Sequence, residues 1–207
     1  MRCGRRTNRM GRVNLFRTPG GRAKPPFPAD SRQAPARCQD VRDFWQVTAE
    51  SLDFTLNALG IAEPGLRERL LRLYRTLGAF SEVPGMLRRL KEMGFATAIL
   101  SNGSPGMLRD AVESAGIGGS LDAVLSVDEV GTFKPDPRVY QLAVDRLGVA
   151  PSTIAFQSAN AWDAHAASAF GMRVVWCNRH GQNHEHLPGA PDREVRSLAE
   201  LPALLKR

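Results

Sequence analysis

From residue 43 onward, the apolar positions follow two alternating periods. Phe44, Val47, Leu52, Leu56 and Leu59 recur at helical spacing and Gly60 closes the run, which predicts an amphipathic helix over 43–59. Pro64 and Gly65 open a second such pattern, with Leu66, Leu70, Leu71, Tyr74 and Leu77 on one face and Gly78 at its end. Two short helices on a short connection predict a helical hairpin. The text then changes to helix and strand in turn. A helix over 83–93 stops at Gly94, and Ala96-Thr-Ala-Ile-Leu100 reads as a buried strand. A helix follows from Ser104-Pro105, then a strand over 121–125, then a helix from Pro137 through Leu147. A strand over 153–156 and a helix from Ala164 to Phe170, closed by Gly171, precede a strand over 173–176. An amphipathic stretch from Ser197 to Leu205 predicts a closing helix. Strands alternating with helices predict an α/β fold with a parallel, doubly wound sheet, and there is no internal repeat.

Residues 1–42 do not share this periodicity. They contain five of the 14 prolines, four glycines and one strand-like piece, Val13-Asn-Leu-Phe16. They also hold 11 of the 28 basic residues against two of the 21 acidic ones. The formal net charge of +7 therefore belongs to this segment, and the remainder is mildly acidic, with 17 basic residues against 19 acidic. The segment reads as a disordered basic arm. Such an arm could meet nucleic acid through charge alone, but it has no aromatic interleaving and no binding motif, so nucleic acid is not the expected partner. The expected division is 1–42 as this aberrant segment, 43–80 as a helical part and 81–207 as the α/β body.

No apolar run approaches a membrane span, and the first ten residues lack the apolar stretch of a signal peptide. Cys3, Cys38 and Cys177 form no paired framework, so a reducing, cytoplasmic setting is the default. His180, His184 and His186 lie in a polar loop and His165 on a helix, a spacing that reads as solvated loop rather than zinc site.

Polar residues gather where predicted strands end. Ser101 and Asn102 follow the first strand, and Lys134 sits before a proline-pinned helix. Ser158, Asn160 and Asp163 follow the third strand. Helix capping explains one such residue but not three. In a parallel sheet the carboxyl ends of the strands open on one side, so these groups can converge. A hydroxyl, an ammonium and a carboxylate around one crevice suit a hydrolytic site that handles an anion.

The succession Phe80-Ser-Glu-Val-Pro84, Ile99-Leu-Ser-Asn-Gly-Ser-Pro105, Leu125-Ser-Val-Asp128, Phe133-Lys-Pro-Asp136, Arg138-Val-Tyr140, Ser158-Ala-Asn-Ala-Trp-Asp163 and Trp176-Cys-Asn-Arg179 resembles the haloacid dehalogenase superfamily. More closely, it is similar to the metal-independent type II L-2-haloacid dehalogenases, from about Asp43 to the C-terminus. The resemblance implies a Rossmannoid parallel-sheet core with a small helical cap, and hydrolysis of small (S)-2-haloacids to (R)-2-hydroxyacids through an aspartyl ester. It implies that Ser101 bonds the substrate carboxylate and Asn102 cradles the departing halide. Lys134 would hold the nucleophilic carboxylate ionised, with Tyr140 supporting it. Ser158, Asn160 and Asp163 would position and activate water, and Phe44 and Trp162 would wall the apolar side of the substrate. Phe44 and Tyr140 could equally be packing residues. No cofactor is implied. Phosphatases of the superfamily carry an aspartate where Ala159 stands, and that aspartate helps hold magnesium, so Ala159 argues against a metal site. Dimers are common in the resembled family, although no residue here demonstrates one.

The family's first motif, an apolar strand ending in Asp-x-Tyr-Gly-Thr, supplies the nucleophile, and residues 1–42 contain no match. Asp30 and Asp40 follow no apolar strand, and the family's halide-binding arginine has no assigned counterpart. Residues 1–42 thus read as a mis-started or frame-shifted piece joined to a dehalogenase body. Two inner strands would then lie unpaired, leaving the chain poorly stable and with negligible turnover. A superfamily phosphatase, or a non-catalytic remnant with a basic arm, are the rival readings.

Overall fold

The computed structural model describes the backbone of residues 14–16 and residues 43–205. In chain order these hold β1 (Asn14–Phe16), α1 (Phe44–Ala58), α2 (Leu66–Leu73), α3 (Val83–Glu92), β2 (Ala96–Ser101), α4 (Pro105–Ala115) and β3 (Ala123–Ser126). There follow α5 (Pro137–Leu147), β4 (Ile154–Ser158), α6 (Ala161–Ala169), β5 (Arg173–Cys177), β6 (Arg193–Val195) and α7 (Leu201–Leu204). The strands form one sheet in the order β3-β2-β1-β4-β5-β6. The pairs β2–β3, β4–β5 and β5–β6 are parallel, as the alternating pattern predicts.

The central position brings a correction. β1 falls on the strand-like piece of the N-terminal segment and lies between β2 and β4, so these two inner strands are not left unpaired. It runs antiparallel to both, with Phe16 opposite Ala96 and Ile154, and Asn14 opposite Ala98. Three residues reach only the first half of β2, from Ala96 to Ala98. The remainder of residues 1–42, on which the expectations of a missing nucleophile motif and a disordered basic arm fall, lies outside the described residues.

Two further differences follow from short-range chemistry. The closing helix expected over 197–205 is a 3-10 turn at Leu198–Glu200 followed by the one-turn α7. Ser197 and Glu200 form a capping box there. β6 is too short for periodicity to reveal. It is aligned by Asp192, whose Oδ2 accepts the Val174 N–H at 2.6 Å and whose own N–H donates to the Val174 carbonyl at 2.8 Å.

Strand alternation divides the core between the two faces of the sheet. Leu100, Ile154, Phe156, Val174 and Trp176 pack with Tyr140 and α6 on one face. Ile99, Val175 and Cys177 pack with Val83, Leu87 and Leu90 of α3 and with Leu198 and Leu201 on the other. The helical hairpin α1–α2 packs less deeply. α1 starts at a capping box, the Gln46 N–H donating to Asp43 Oδ1 at 2.8 Å. It has no fully buried side chain, and it is tied to α2 by the Arg67–Asp53 ion pair at 2.5 Å. Among the described residues, no helix is long and apolar enough to cross a membrane.

Candidate active site

The strand order 3-2-1-4-5-6 reverses direction at the sheet centre, and the crevice beyond the carboxyl ends of the strands there is where open α/β sheets bind ligands. Ser101 ends β2 and Ser158 ends β4, on either side of β1. Helices α4 and α6 start directly after them, which explains why small polar residues rather than strand formers occupy 101–104 and 158–160.

Asp163, in the first turn of α6, is the hub. Its side chain and that of Lys134 are each 1% exposed, and Lys134 Nζ donates to Asp163 Oδ2 at 3.2 Å. Ser158 Oγ donates to the same oxygen at 2.8 Å, and the Tyr140 hydroxyl donates to Oδ1 at 2.8 Å. A buried carboxylate is tolerated here because both of its oxygens are met by donors, one of them charged. Burial, followed by the Asp163 charge and by the hydrogen bond to it, pushes the Tyr140 phenol well above its ordinary range. Tyr140 therefore remains a donor across working pH. Its ring stands edge-on to Phe156 at 5.8 Å and lies 5.7 Å from Phe170. The Lys134 ammonium lies 4.8 Å from the Phe156 ring centroid.

A second set of bonds fixes the loops. The Lys134 N–H donates to Asn102 Oδ1 at 3.0 Å, joining the lysine loop to the end of β2. The Lys134–Pro135 peptide is cis. Ser101 Oγ accepts the Gly103 N–H at 3.1 Å, and Ser126 Oγ donates to the Gly103 carbonyl at 2.8 Å. Ser158 Oγ accepts the Asn160 N–H at 3.2 Å.

The fold thus brings together Ser101, Asn102, Lys134, Tyr140, Ser158 and Asp163, with Asn160 half-buried at the rim. Phe44 is half-buried, its ring 6.1 Å from Phe133, the residue before Lys134. Trp162 is also half-buried. It lines a cavity of about 630 Å³ with Tyr140, Pro135, His165 and Phe170, beside rather than within the polar cluster. Sequence reasoning gave no site role to Ser126, which anchors the 101–104 loop, to Phe133, whose ring meets Phe44, or to Phe156, which lies against the Lys134 ammonium. A hydroxyl at the end of β3, the second parallel strand, was the available signal for Ser126. Among the described residues, no group of three or more His, Cys, Asp or Glu side chains could hold a metal.

The Lys134 loop is held at its far end by Asp136, which caps α5. Asp136 Oδ1 accepts the Arg138 N–H at 2.9 Å, and both carboxylate oxygens accept from the Arg138 guanidinium, at 3.0 and 2.7 Å. The guanidinium, with the Arg138 N–H, holds the Asp136 carboxyl down at about 2. A carboxyl depressed on folding contributes stability above its unfolded value of roughly 3.9 and loses it as pH falls through the folded value. Asp136→Ala is expected to lower the thermal midpoint at pH 7 by roughly 2–4 °C. The deficit should shrink as pH falls from about 4 toward about 2, between the unfolded and folded values, because the unfolded parent chain takes up the proton first. Scanning calorimetry from pH 7 to 3 checks this, and a pH-independent deficit would count against the charged cap.

The sequence profile of the haloacid dehalogenase-like hydrolases matches residues 21–171, a span that begins inside the N-terminal segment. The chain is 48% identical over 166 residues to (S)-2-haloacid dehalogenase 1 of Pseudomonas sp. strain CBS-3, covering 80% of this chain and 73% of that one. It is 42% identical over 166 residues to (S)-2-haloacid dehalogenase 4A of Burkholderia cepacia, covering 80% and 72%. In structure it resembles the L-2-haloacid dehalogenase of Xanthobacter autotrophicus solved with chloropropionic acid covalently bound. The TM-score is 0.74 at 33% identity, with 80% of this chain and 76% of that chain covered.

Proposed function

The chain belongs to the haloacid dehalogenase-like hydrolase family, and on that footing we propose that its site is built to hydrolyse small (S)-2-haloacids to (R)-2-hydroxyacids. The observation that carries this reading is the buried Lys134–Asp163–Ser158–Tyr140 cluster at the sheet's switch point, tied to Asn102 at the end of β2 through the Lys134 N–H. In the first step a carboxylate oxygen attacks C2 of the substrate, the carbon–halogen bond breaks with inversion, and halide leaves with the bonding pair. In the second step water adds to the ester carbonyl and the hydroxyacid departs. The covalent chloropropionic acid in the Xanthobacter protein agrees with such an ester.

Ser101 accepts from Gly103, which leaves its own proton to donate to the substrate carboxylate. Lys134 supplies the positive charge that keeps the attacking carboxylate ionised. Asp163, buried with both oxygens engaged, acts through its partners: it aligns Lys134 and orients Ser158, which with Asn160 holds the water. Phe44, against Phe133 before Lys134, supplies an apolar wall, whereas Trp162 lines the neighbouring cavity and is not assigned to the wall. Ala159, beside Ser158, offers no metal-binding oxygen from its side chain, which favours displacement at carbon over phosphoryl transfer.

The 207 residues contain no Asp-x-Tyr-Gly-Thr stretch. We therefore propose that this chain binds the haloacid but releases halide at no more than the buffer rate. Titration with L-2-chloropropionate should show binding, and Ser101→Ala should raise the Kd roughly tenfold to a hundredfold, the worth of one hydrogen bond to a charged group. Equal affinity in the Ser101→Ala variant would reject the substrate assignment. Magnesium-dependent hydrolysis of a phosphomonoester would favour a phosphatase instead.

A further inference from the structure

The segment 79–82 joins the helical hairpin to α3 and hence to the α/β body. Arg179 and Ser197, both from the far end of the chain, meet it. Arg179 lies two residues beyond β5, at the carboxyl edge of the sheet. Its guanidinium carbon sits 3.8 Å from the centroid of the Phe80 ring. Its Nη2 is 2.6 Å from Glu82 Oε1, the two side chains being 13% and 19% exposed. Glu82 Oε1 also accepts the Ser197 hydroxyl at 3.2 Å, which draws in the turn before α7. Burial pushes the Glu82 carboxyl up, but its own backbone N–H, Arg179 and Ser197 together bring it below its ordinary value, so the pair is ionised at neutral pH.

A guanidinium suits this place because its flat face stacks on a ring while its edge meets a carboxylate; an ammonium cannot do both. Two other contacts carry the hairpin's position onward. Arg75, just after α2, lies 4.7 Å from the Trp45 ring centroid and 3.8 Å from Asp110 of α4. At the start of α1, Phe44 lies against Phe133, whose neighbour Lys134 enters the polar cluster. α1 itself buries no side chain fully, so its placement depends on a few such contacts.

We infer that Arg179 is a positioning residue that pins the root of the helical hairpin to the body and so keeps Phe44 against Phe133 beside Lys134. The consequence for haloacid binding rests on the proposed function; the pinning itself does not.

The test uses the full chain with Cys3 and Cys38 replaced by serine and spin labels placed through Ser51→Cys on α1 and Arg88→Cys on α3, both exposed sites. The parent should give one narrow label-to-label distance. Arg179→Ala should broaden it into several populations, and Arg179→Lys should be intermediate, keeping the charge toward Glu82 without the stacked plane. Phe80→Leu removes the stack and keeps the ion pair, and serves if Arg179→Ala does not fold. In the second arm, the Kd for L-2-chloropropionate should rise several-fold with each broadened variant. A narrow, unshifted distance in a folded Arg179→Ala or Phe80→Leu chain overturns the inference. Absence of L-2-chloropropionate binding in the parent counts against the proposed function, and the distances then decide the pinning alone.

Discussion

Replacing residues 1–16 with an apolar strand that ends in Asp-x-Tyr-Gly-Thr is expected to raise halide release from L-2-chloropropionate by at least about 10³-fold over the present chain. Loss of a nucleophile from a preorganised hydrolase costs on the order of 10⁶ in kcat, and even an imperfect restoration should recover a large part of that. The structural argument is directional. A strand between β2 and β4 that ran parallel to them would end level with Ser101 and Ser158, at the edge where Lys134 also lies. β1 runs the other way: Phe16 pairs with Ala96 and Ile154, the first residues of β2 and β4. Phe16, the last residue of β1, therefore lies at the edge opposite the polar cluster. Reversing the central strand would deliver its last residue to the crevice. Chloride release is the measurement, and replacing the restored aspartate with asparagine should abolish the gain. Chelator should leave it unchanged. A folded replacement with no gain would sink the view that the site lacks only its nucleophile.

The second large effect concerns stability. Asp163→Leu is expected to cost about 3–5 kcal/mol, because it leaves the Lys134 ammonium buried without its carboxylate. The double variant Lys134→Met/Asp163→Leu should be more stable than Asp163→Leu alone, since no charge then remains to be buried. It should not reach the parent, because the Ser158 and Tyr140 hydroxyls lose their acceptor, at roughly 1–3 kcal/mol each. Urea unfolding of the three chains and the parent gives the comparison. A double variant less stable than Asp163→Leu would mean that Lys134 contributes chiefly by packing against Phe156. A cost as large as several kcal/mol is a substantial share of the stability of a chain this size.

The elements of the body were legible because each one has a period and an end signal. Gly148 illustrates this: it closes α5 at φ +64, a conformation that glycine adopts without a steric penalty. The site residues were legible as polar side chains breaking apolar runs at strand ends, which is how Ser101, Ser158 and Asp163 announced themselves. Ser126 gave the same signal but stood in a run of mixed residues, and its bond to the Gly103 carbonyl joins positions 23 apart in the chain. No local pattern encodes such a partner.

The sequence by itself therefore determined the parallel α/β body, the helical hairpin, the strand-end polar groups and the resemblance that gave each a role. These depend on hydrophobic period and turn chemistry, which act over a few residues. The tertiary structure decided how those groups pair: Asp163 as the shared acceptor of Lys134, Ser158 and Tyr140, Asn102 as the tie to the lysine loop, and Arg179 as the ion-pair partner of Glu82. It also decided the direction of the central strand. Val13-Asn-Leu-Phe16 reads as a strand in either orientation, because a period of two is the same forwards and backwards. Only pairing with β2 and β4 sets which end meets the crevice.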